Sequence, residues 1–424
     1  MRTIFKKLMY PLLILSILVG CNRSLDSVDN PMYDREKGEE FGPTIKVGVR
    51  EIDIDEKEVT ELEDGLKYIK LQLKDEHFPI VIHAVQMDSK KNKKLAAQVL
   101  SGKNTIKGRE KVSSMVVSNS NATQEVVAAI NGDFFNLTPG NPLGGQVING
   151  KIQKMISPLW NTAFYTDEYN IPYMSKVVSK TIAKGTHGEF EVSDFNTKRQ
   201  TDQLILYDSS KKDEDTGTNE WGGEVLLNPI GFEWGNVDIN ELDIQNLEFE
   251  VEKVTGMGVG GSMPIIEGKP ILSGHGKAFN WINQLKVGHK VSLNISFRSQ
   301  DYLKQKIAVT NLCGAQVVIL KNTMKTKLDD GLDHKNTRNP RSAIGTSPDK
   351  NKTTMLVVEG RSEVSVGATL AELADICAYF NLADAVNLDG GGSSCVVAKG
   401  EVLNALSDNA ERPVTNAIAF VKRK

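Results

Sequence analysis

Thr369-Leu-Ala-Glu-Leu-Ala-Asp-Ile-Cys-Ala-Tyr-Phe-Asn-Leu-Ala-Asp-Ala-Val-Asn-Leu-Asp-Gly-Gly-Gly-Ser-Ser394 sets a helix, a buried strand and a glycine loop in immediate succession. Leu370, Leu373, Ala374, Cys377 and Phe380 recur at helical spacing. Thr369 and Glu372 form a Thr-x-x-Glu capping box, and Asn381 stands where a left-handed cap is common. The helix predicted over Thr369–Phe380 delivers the chain to Ala385-Val386, and a second apolar run, Cys395–Ala398, follows the glycines. Three glycines between two apolar runs are costly unless the backbone turns sharply or approaches another group closely. Asn387, Asp389, Gly390, Gly391, Gly392 and Ser393 therefore mark the centre of a candidate site, a polar loop on a rigid scaffold.

Working outward, 40% hydrophobic and 25% charged residues over 424 positions are the proportions of a globular chain. A formal charge of −3 gives no reason to expect nucleic acid, and six histidines and four cysteines are too scattered for a zinc cluster. Arg2, Lys6 and Lys7 precede the apolar run Leu8–Gly20, a signal-peptide pattern that is short for a membrane-spanning helix. It ends Leu18-Val-Gly-Cys21, which resembles a bacterial lipobox; Cys21 is the expected lipidation site, and ordinary secretion is the alternative. The expected layout is a lipoprotein signal peptide over 1–20, a polar tether over 21–45, an N-terminal β segment over 46–75 and one domain over 76–424. Export to the cell envelope follows, periplasmic or at the cell surface, with membrane contact through the N-terminal lipid only. Without Cys21, three cysteines remain, which excludes a fully paired framework and permits one disulfide.

Along the chain, Leu66–Leu73, Phe78–Met87, Val126–Ile130, Thr353–Val358 and Arg412–Val421 read as strands. Asn149-Gly150 between apolar residues reads as a hairpin turn. Short β-like runs fill 160–310, with a polar loop over Asp208–Trp221 and a flexible loop or bulge at Gly256–Gly261. These features predict an α+β fold: β-rich mixed sheets, few helices and active-site loops at strand ends.

Polar groups cluster after the buried runs. Asn131 and Asp133 follow one, Glu359 and Arg361 a second, Asn387 and Asp389 a third; Asp408, Glu411 and Arg412 lie in Leu406–Pro413, where the last strand begins. Asn131-Gly-Asp133 echoes Asn387-Leu-Asp389, so two similarly built loops are expected to face one site. His83, inside a strand, reads as a satisfied core residue.

The ordered series Asn339-Pro-Arg-Ser-Ala-Ile-Gly345, Leu356-Val-Val-Glu-Gly-Arg361, a capped helix, Asn387–Ser394 and Glu411-Arg-Pro-Val-Thr-Asn-Ala417 resembles the phosphodiester glycosidase family. Asn131-Gly-Asp-Phe-Phe135 extends the resemblance, and the insert Asp208–Trp221 and Ser394-Cys395 depart from it. The resemblance implies a hydrolase that cleaves a sugar-1-phosphodiester, of the GlcNAc-α-1-phosphodiester type, at the glycosyl C–O bond. It implies Asp133, Glu359 and Asp389 as catalytic carboxylates at an oxocarbenium-like centre. Arg341 and Arg412, supported by Arg361, suit the phosphate by bidentate geometry. The N–H groups of Gly390–Gly392, with Ser393, are expected to cradle its oxygens, and Asn131, Asn387, Asp408 and Glu411 to complete substrate binding. No cofactor is required; a divalent cation is compatible with such carboxylates, and no ligand spacing demands one. Two other readings stand beside this one: a non-catalytic glycan-binding surface lipoprotein, and a protein that modifies or attaches envelope polysaccharide.

Overall fold

The computed structural model describes residues 41–235, 244–258, 262–300 and 309–424. The expected signal peptide, Cys21 and most of the tether lie outside the described residues, as does part of Gly256–Gly261.

The described residues form an α+β fold of three sheets. Nine antiparallel strands make the first, in the order Thr44–Val47, Arg50–Glu63, Leu66–Leu73, Ile80–Asp88, Lys352–Val358, Arg341–Thr346, Asp384–Asn387, Val317–Lys321 and Met324–Lys325. The N-terminal β segment thus pairs directly onto Ile80–Asp88 and continues the same sheet. A five-stranded sheet runs Glu401–Val402, Val396–Ala398, Gln124–Asn131, Asn416–Arg423 and Leu95–Ser101.

These two sheets pack face to face. Met355, Val357, Ile344 and Val386 of the first meet Val99, Ile130, Ile418 and Phe420 of the second in one buried cluster. The helix Leu370–Tyr379 covers the outer face of the first sheet through Leu370, Leu373, Ala374 and Cys377. A second helix, Val112–Asn119, covers the outer face of the second through Met115 and Val116. The capping box is formed: Glu372 N–H donates to Thr369 Oγ1 at 3.2 Å, and Thr369 N–H to Glu372 Oε2 at 2.9 Å. The result is a helix–sheet–sheet–helix sandwich in which each apolar face meets another.

The third sheet closes on itself. Pro172–Gly185 pairs with both Lys290–Ser299 and Gly188–Phe195, completing a ring with Leu204–Tyr207, Ile271–His275, Gly222–Pro229 and Ile244–Thr255. Gly188–Phe195 and Leu204–Tyr207 run parallel, which makes this sheet mixed. From Pro172–Gly185 it continues through Thr162–Thr166 and Asn311–Ala315 to the hairpin Gln146–Ile148 and Lys151–Lys154. Asn149 (φ 49°) and Gly150 (φ 77°) form the predicted turn, both left-handed as such hairpins require. Buried Glu224 accepts hydrogen bonds from Thr216, Thr218, Ser273 and the Met263 N–H, and so fastens the insert Asp208–Trp221 to the barrel.

Candidate active site

Antiparallel pairing brings five strand ends to one place. Arg341 pairs with Val358, Ala343 with Asn387, and Ala417 with Asn131. The chain leaves these ends as Asn131-Gly-Asp133, Glu359-Gly-Arg361 and Asn387–Ser394. The two echoing loops lie side by side: Asp389 N–H donates to Gly132 O at 3.0 Å, and Asn131 Nδ2 to Asp389 O at 2.6 Å.

Asp133 is 1% exposed. Its Oδ2 accepts from Gly144 N–H at 2.7 Å and its Oδ1 from Trp160 Nε1 at 3.0 Å. A Cβ at Gly314 would collide with Oδ2, and one at Gly144 would stand 2.9 Å from it. Both glycines are therefore fixed by the approach to this carboxyl. Trp160 meets Phe134 edge-on at 5.3 Å, and both rings are half-buried, forming an aromatic wall beside the carboxyl. Lys154 Nζ donates to the carbonyls of Leu143 and Gly144, each at 3.1 Å, and pins the loop that supplies the Gly144 N–H.

Asp389 heads a second network on the glycine loop. Its Oδ1 accepts from Gly390 N–H at 2.8 Å, and Ser393 hydrogen-bonds its carboxyl. Arg412 Nη1 reaches Ser393 Oγ at 3.4 Å, and Arg412 also grips Asp408 Oδ2, through Nε at 3.0 Å and Nη2 at 2.5 Å. Arg361 stands 4.0 Å from Asp408 and bonds Asn339 Oδ1 at 3.1 Å. Each glycine has its own reason. A Cβ at Gly390 would meet Pro340 O at 2.8 Å, Gly391 is left-handed at φ 61°, and a Cβ at Gly392 would enter the Asp408–Arg412 pair. The expected cradle of three N–H groups is corrected in one respect: Gly390 N–H is turned to Asp389 and Gly391 N–H to Pro340 O.

Both aspartates are pushed toward neutrality, chiefly by burial. Burial pushes Asp133 up to about 7; the Gly144 and Trp160 donors and Lys154 oppose this, and the charge of Asp389 adds to it. Burial pushes Asp389 up to about 6, against Ser393, the Gly390 N–H and Arg412. Buried carboxyls shifted toward neutrality beside one another are the usual makings of an acid and base pair. The shifts also bear on stability. With folded values above the ordinary carboxylate range, the folded chain holds protons that the unfolded chain has released, so stability falls as pH rises from about 4 through about 6 and about 7. In Asp389→Asn the amide keeps the Gly390 contact and removes that loss. Thermal melts should find the variant at least as stable as the parent near pH 7, with the difference shrinking toward pH 4; a parent more stable near pH 7 contradicts the shift.

Other expected site residues are turned inward. Asn131 is fully buried and accepts from Ser342 Oγ at 2.7 Å and Cys395 N–H at 3.2 Å, tying the two sheets together. Asn387 Nδ2 donates to Gln316 Oε1 at 2.9 Å, and its Oδ1, also buried, has no hydrogen-bond partner among the described residues. Arg341 is 5% exposed and donates to the carbonyls of Ala368, His334 and Thr337. Burial, with Arg361 nearby, pulls its guanidinium down to about 10. Glu411 accepts from Ser113 N–H at 2.8 Å and Ser113 Oγ at 2.6 Å, which places it on the first turn of Val112–Asn119.

Glu359 Oε1 accepts from His83 Nε2 at 2.7 Å and from Ala405 N–H at 2.6 Å. Tyr68 OH lies 2.8 Å from His83 Nδ1, so Tyr68, His83 and Glu359 form a buried relay beneath the loop that carries Asp408. Burial alone would raise Glu359, but His83 and the Ala405 N–H outweigh it and hold the carboxyl below its usual value. His83 is thus a satisfied core histidine, as its place in a strand implies, and its partner is a site candidate.

Trp160, Lys154, Tyr68 and Asn416 escape sequence reasoning. Asn416 Oδ1 accepts Asp133 N–H at 2.8 Å; it lies in the quoted Glu411–Ala417 series, which is the one signal for it. Cys313, Cys377 and Cys395 are buried and unbridged. Among the described residues no group of three or more His, Cys, Asp or Glu side chains is placed to hold a metal ion.

Residues 245–421 match the family model described as phosphodiester glycosidase. An uncharacterised SPbeta prophage-derived protein of Bacillus subtilis (strain 168) is 35% identical over 85 residues, which is 20% of this chain and only 13% of that protein. A hypothetical protein from Synechocystis superposes with a TM-score of 0.66 at 17% identity, over 88% of this chain and 64% of its own. A putative exported protein from Burkholderia pseudomallei K96243 superposes with a TM-score of 0.67 at 14% identity, over 91% of this chain and 100% of its own. These two structures share the fold. The span 245–421, which is similar to that family model, supplies Glu359, Arg361, Asp389, Asp408 and Arg412 to the site.

Proposed function

We propose that the chain is an exported hydrolase that cleaves sugar-1-phosphodiesters at the glycosyl C–O bond, releasing free sugar and a phosphomonoester. The observation that carries this reading is the buried pair Asp133 and Asp389, both pushed toward neutrality, beside Arg412 and Arg361. The family match over 245–421 supports the reaction class. Asp389, on the glycine loop and linked through Ser393 to Arg412, is the carboxylate beside the anomeric carbon that takes a proton from water; Asp133 keeps its own proton. Water supplies OH to C1, the C1–O bond breaks, and its electrons leave with the phosphate oxygen. Arg412 and Arg361 hold the phosphate anion by charge-assisted hydrogen bonds, and Asp408 keeps both guanidinium groups in place until it arrives. The wall of Trp160 and Phe134 takes the apolar face of the sugar ring.

A synthetic GlcNAc-α-1-phosphodiester tests the reading. Time-dependent release of free GlcNAc is expected from the parent and, about 10³-fold more slowly, from Asp389→Asn; absence of turnover by the parent overturns it. The same proposal places the protein outside the cytoplasm, anchored through Cys21, on the strength of Leu18-Val-Gly-Cys21. Replacement Cys21→Ala should move the chain from the membrane fraction to the soluble one, and an unchanged distribution overturns the anchor.

A further inference from the structure

A groove away from the carboxylates runs along the seam between the edge strand Leu95–Ser101 of the five-stranded sheet and the terminal hairpin Gln146–Lys154 of the third sheet. Three cavities in line share walls. The middle one holds about 400 Å³, within the range of ligand pockets of roughly 300–1,000 Å³. It shares Asn104 and Gln153 with a cavity of about 190 Å³ that ends on Asp208 and Trp234. On its other side it shares Gln98, Gln124 and Asn149 with one of about 100 Å³.

The shared walls are primary amides. Gln124 Nε2 donates to Gln98 Oε1 at 3.1 Å, and Gln98 Nε2 to Asn149 Oδ1 at 3.0 Å. Gln124 Nε2 also donates to Asn119 O at 3.1 Å, so the row holds Gln124, Gln98 and Asn149 in place along the wall. Asn104 (φ 52°) and Lys212 (φ 57°), both on its walls, are held left-handed outside any hairpin turn, a conformation uncommon in non-glycine residues. Both signs of charge are interspersed along the groove, with Lys151, Lys212 and Arg423 against Asp167, Glu168, Asp208 and Glu267. A polyanion would ask for a basic strip. A neutral chain of hydroxyls asks for alternating donors and acceptors with an aromatic wall, here Trp234, whose Nε1 is fixed on Asp208 at 3.0 Å.

We propose that this seam is a second binding site, for an extended neutral oligosaccharide, that holds the glycan part of a polymeric substrate. It rests on the glycosidase reading for the choice of ligand class. An amide chain joins it to the carboxylates: Gln146 Nε2 donates to Gln153 Oε1 at 2.5 Å, Asn416 Nδ2 to Gln146 Oε1 at 2.7 Å, and Asp133 N–H to Asn416 Oδ1 at 2.8 Å.

The test uses the full chain and two probes, a GlcNAc tetramer and a glucose tetramer, titrated calorimetrically. Binding of at least one tetramer is expected in the parent and in Asp389→Asn. The double variant Gln124→Ala/Asn149→Gly, whose glycine keeps the left-handed turn, should weaken it by at least about tenfold (~1.4 kcal/mol). Asn104→Gly, on a different shared wall, should weaken it independently. Both variants should keep the parent melting temperature and its turnover of a small soluble sugar-1-phosphodiester. Failure of both tetramers to bind, undiminished binding in both variants, or displacement of the tetramer by the small substrate would each overturn the proposal. Tetramer binding lost in the variants with no turnover in the parent leaves the groove standing and removes the glycosidase reading instead.

Discussion

Replacement of Asp389 by Asn is expected to lower kcat/KM on a sugar-1-phosphodiester by about 10³-fold, within the range for loss of a positioned acid or base. The substitution is gentle. Asn Oδ1 retains the Gly390 N–H, and its NH₂ donates to Ser393 Oγ where the carboxylate accepted. What is lost is the charge beside the anomeric carbon. The pH dependence gives a finer readout. On the proposed roles Asp389 acts ionised and Asp133 protonated, so kcat/KM should be bell-shaped, with limbs near about 6 and about 7. The basic limb carries a contribution from the neighbour, because the charge of Asp389 adds to the rise of Asp133. Residual activity of the variant should lack the acidic limb. Activity within tenfold of the parent, or an unchanged acidic limb, would remove Asp389 from the chemistry.

Gly392→Ala is expected to cost about 10²-fold in kcat/KM with little change in melting temperature. The added methyl would enter the contact between Asp408 Oδ2 and Arg412 Nη2. Both atoms are the far ends of flexible side chains, so the fold yields at small cost while the guanidinium moves. Arg412 bridges Ser393, and through it Asp389, to Asp408, so a displaced Arg412 loosens the phosphate site and the carboxylate at once. Gly391→Ala serves as the contrast. At φ 61° it meets backbone strain, and stability should fall together with activity. A Gly392→Ala enzyme with parent kinetics would show that the Asp408–Arg412 pair is surface decoration.

What the sequence shows and hides follows from range. The helix Leu370–Tyr379 is written in its own capping box and apolar stripe, and the glycine loop in its own composition; both are local and both are legible. The pairing of Asn131-Gly-Asp133 with Asn387-Leu-Asp389 is visible as an echo, because two loops with one job carry similar residues. Trp160 is not visible. It reaches Asp133 through the strand pairings of a different sheet, and nothing in Leu159-Trp-Asn161 points to a carboxyl. The relay Tyr68–His83–Glu359 is hidden for the same reason, since His83 and Glu359 meet across two neighbouring strands far apart in the chain. Arg341 illustrates strand parity. Ser342 faces the five-stranded sheet and bonds Asn131, so Arg341 faces the opposite side and spends its donors on backbone carbonyls. Motif order places it at the site, and only the register tells which way it points. Closure of the third sheet depends on one parallel pairing between Gly188–Phe195 and Leu204–Tyr207, for which short strands offer no local sign.

On the proposed mechanism, Asp133 and Asp389 direct attack to the sugar carbon rather than to phosphorus. Hydrolysis of a sugar-1-phosphodiester in ¹⁸O-labelled water, followed by mass spectrometry of the products, measures this directly. Free sugar is the expected product, with a phosphomonoester that carries no ¹⁸O. Label in the phosphomonoester, or sugar-1-phosphate as the released product, would contradict it.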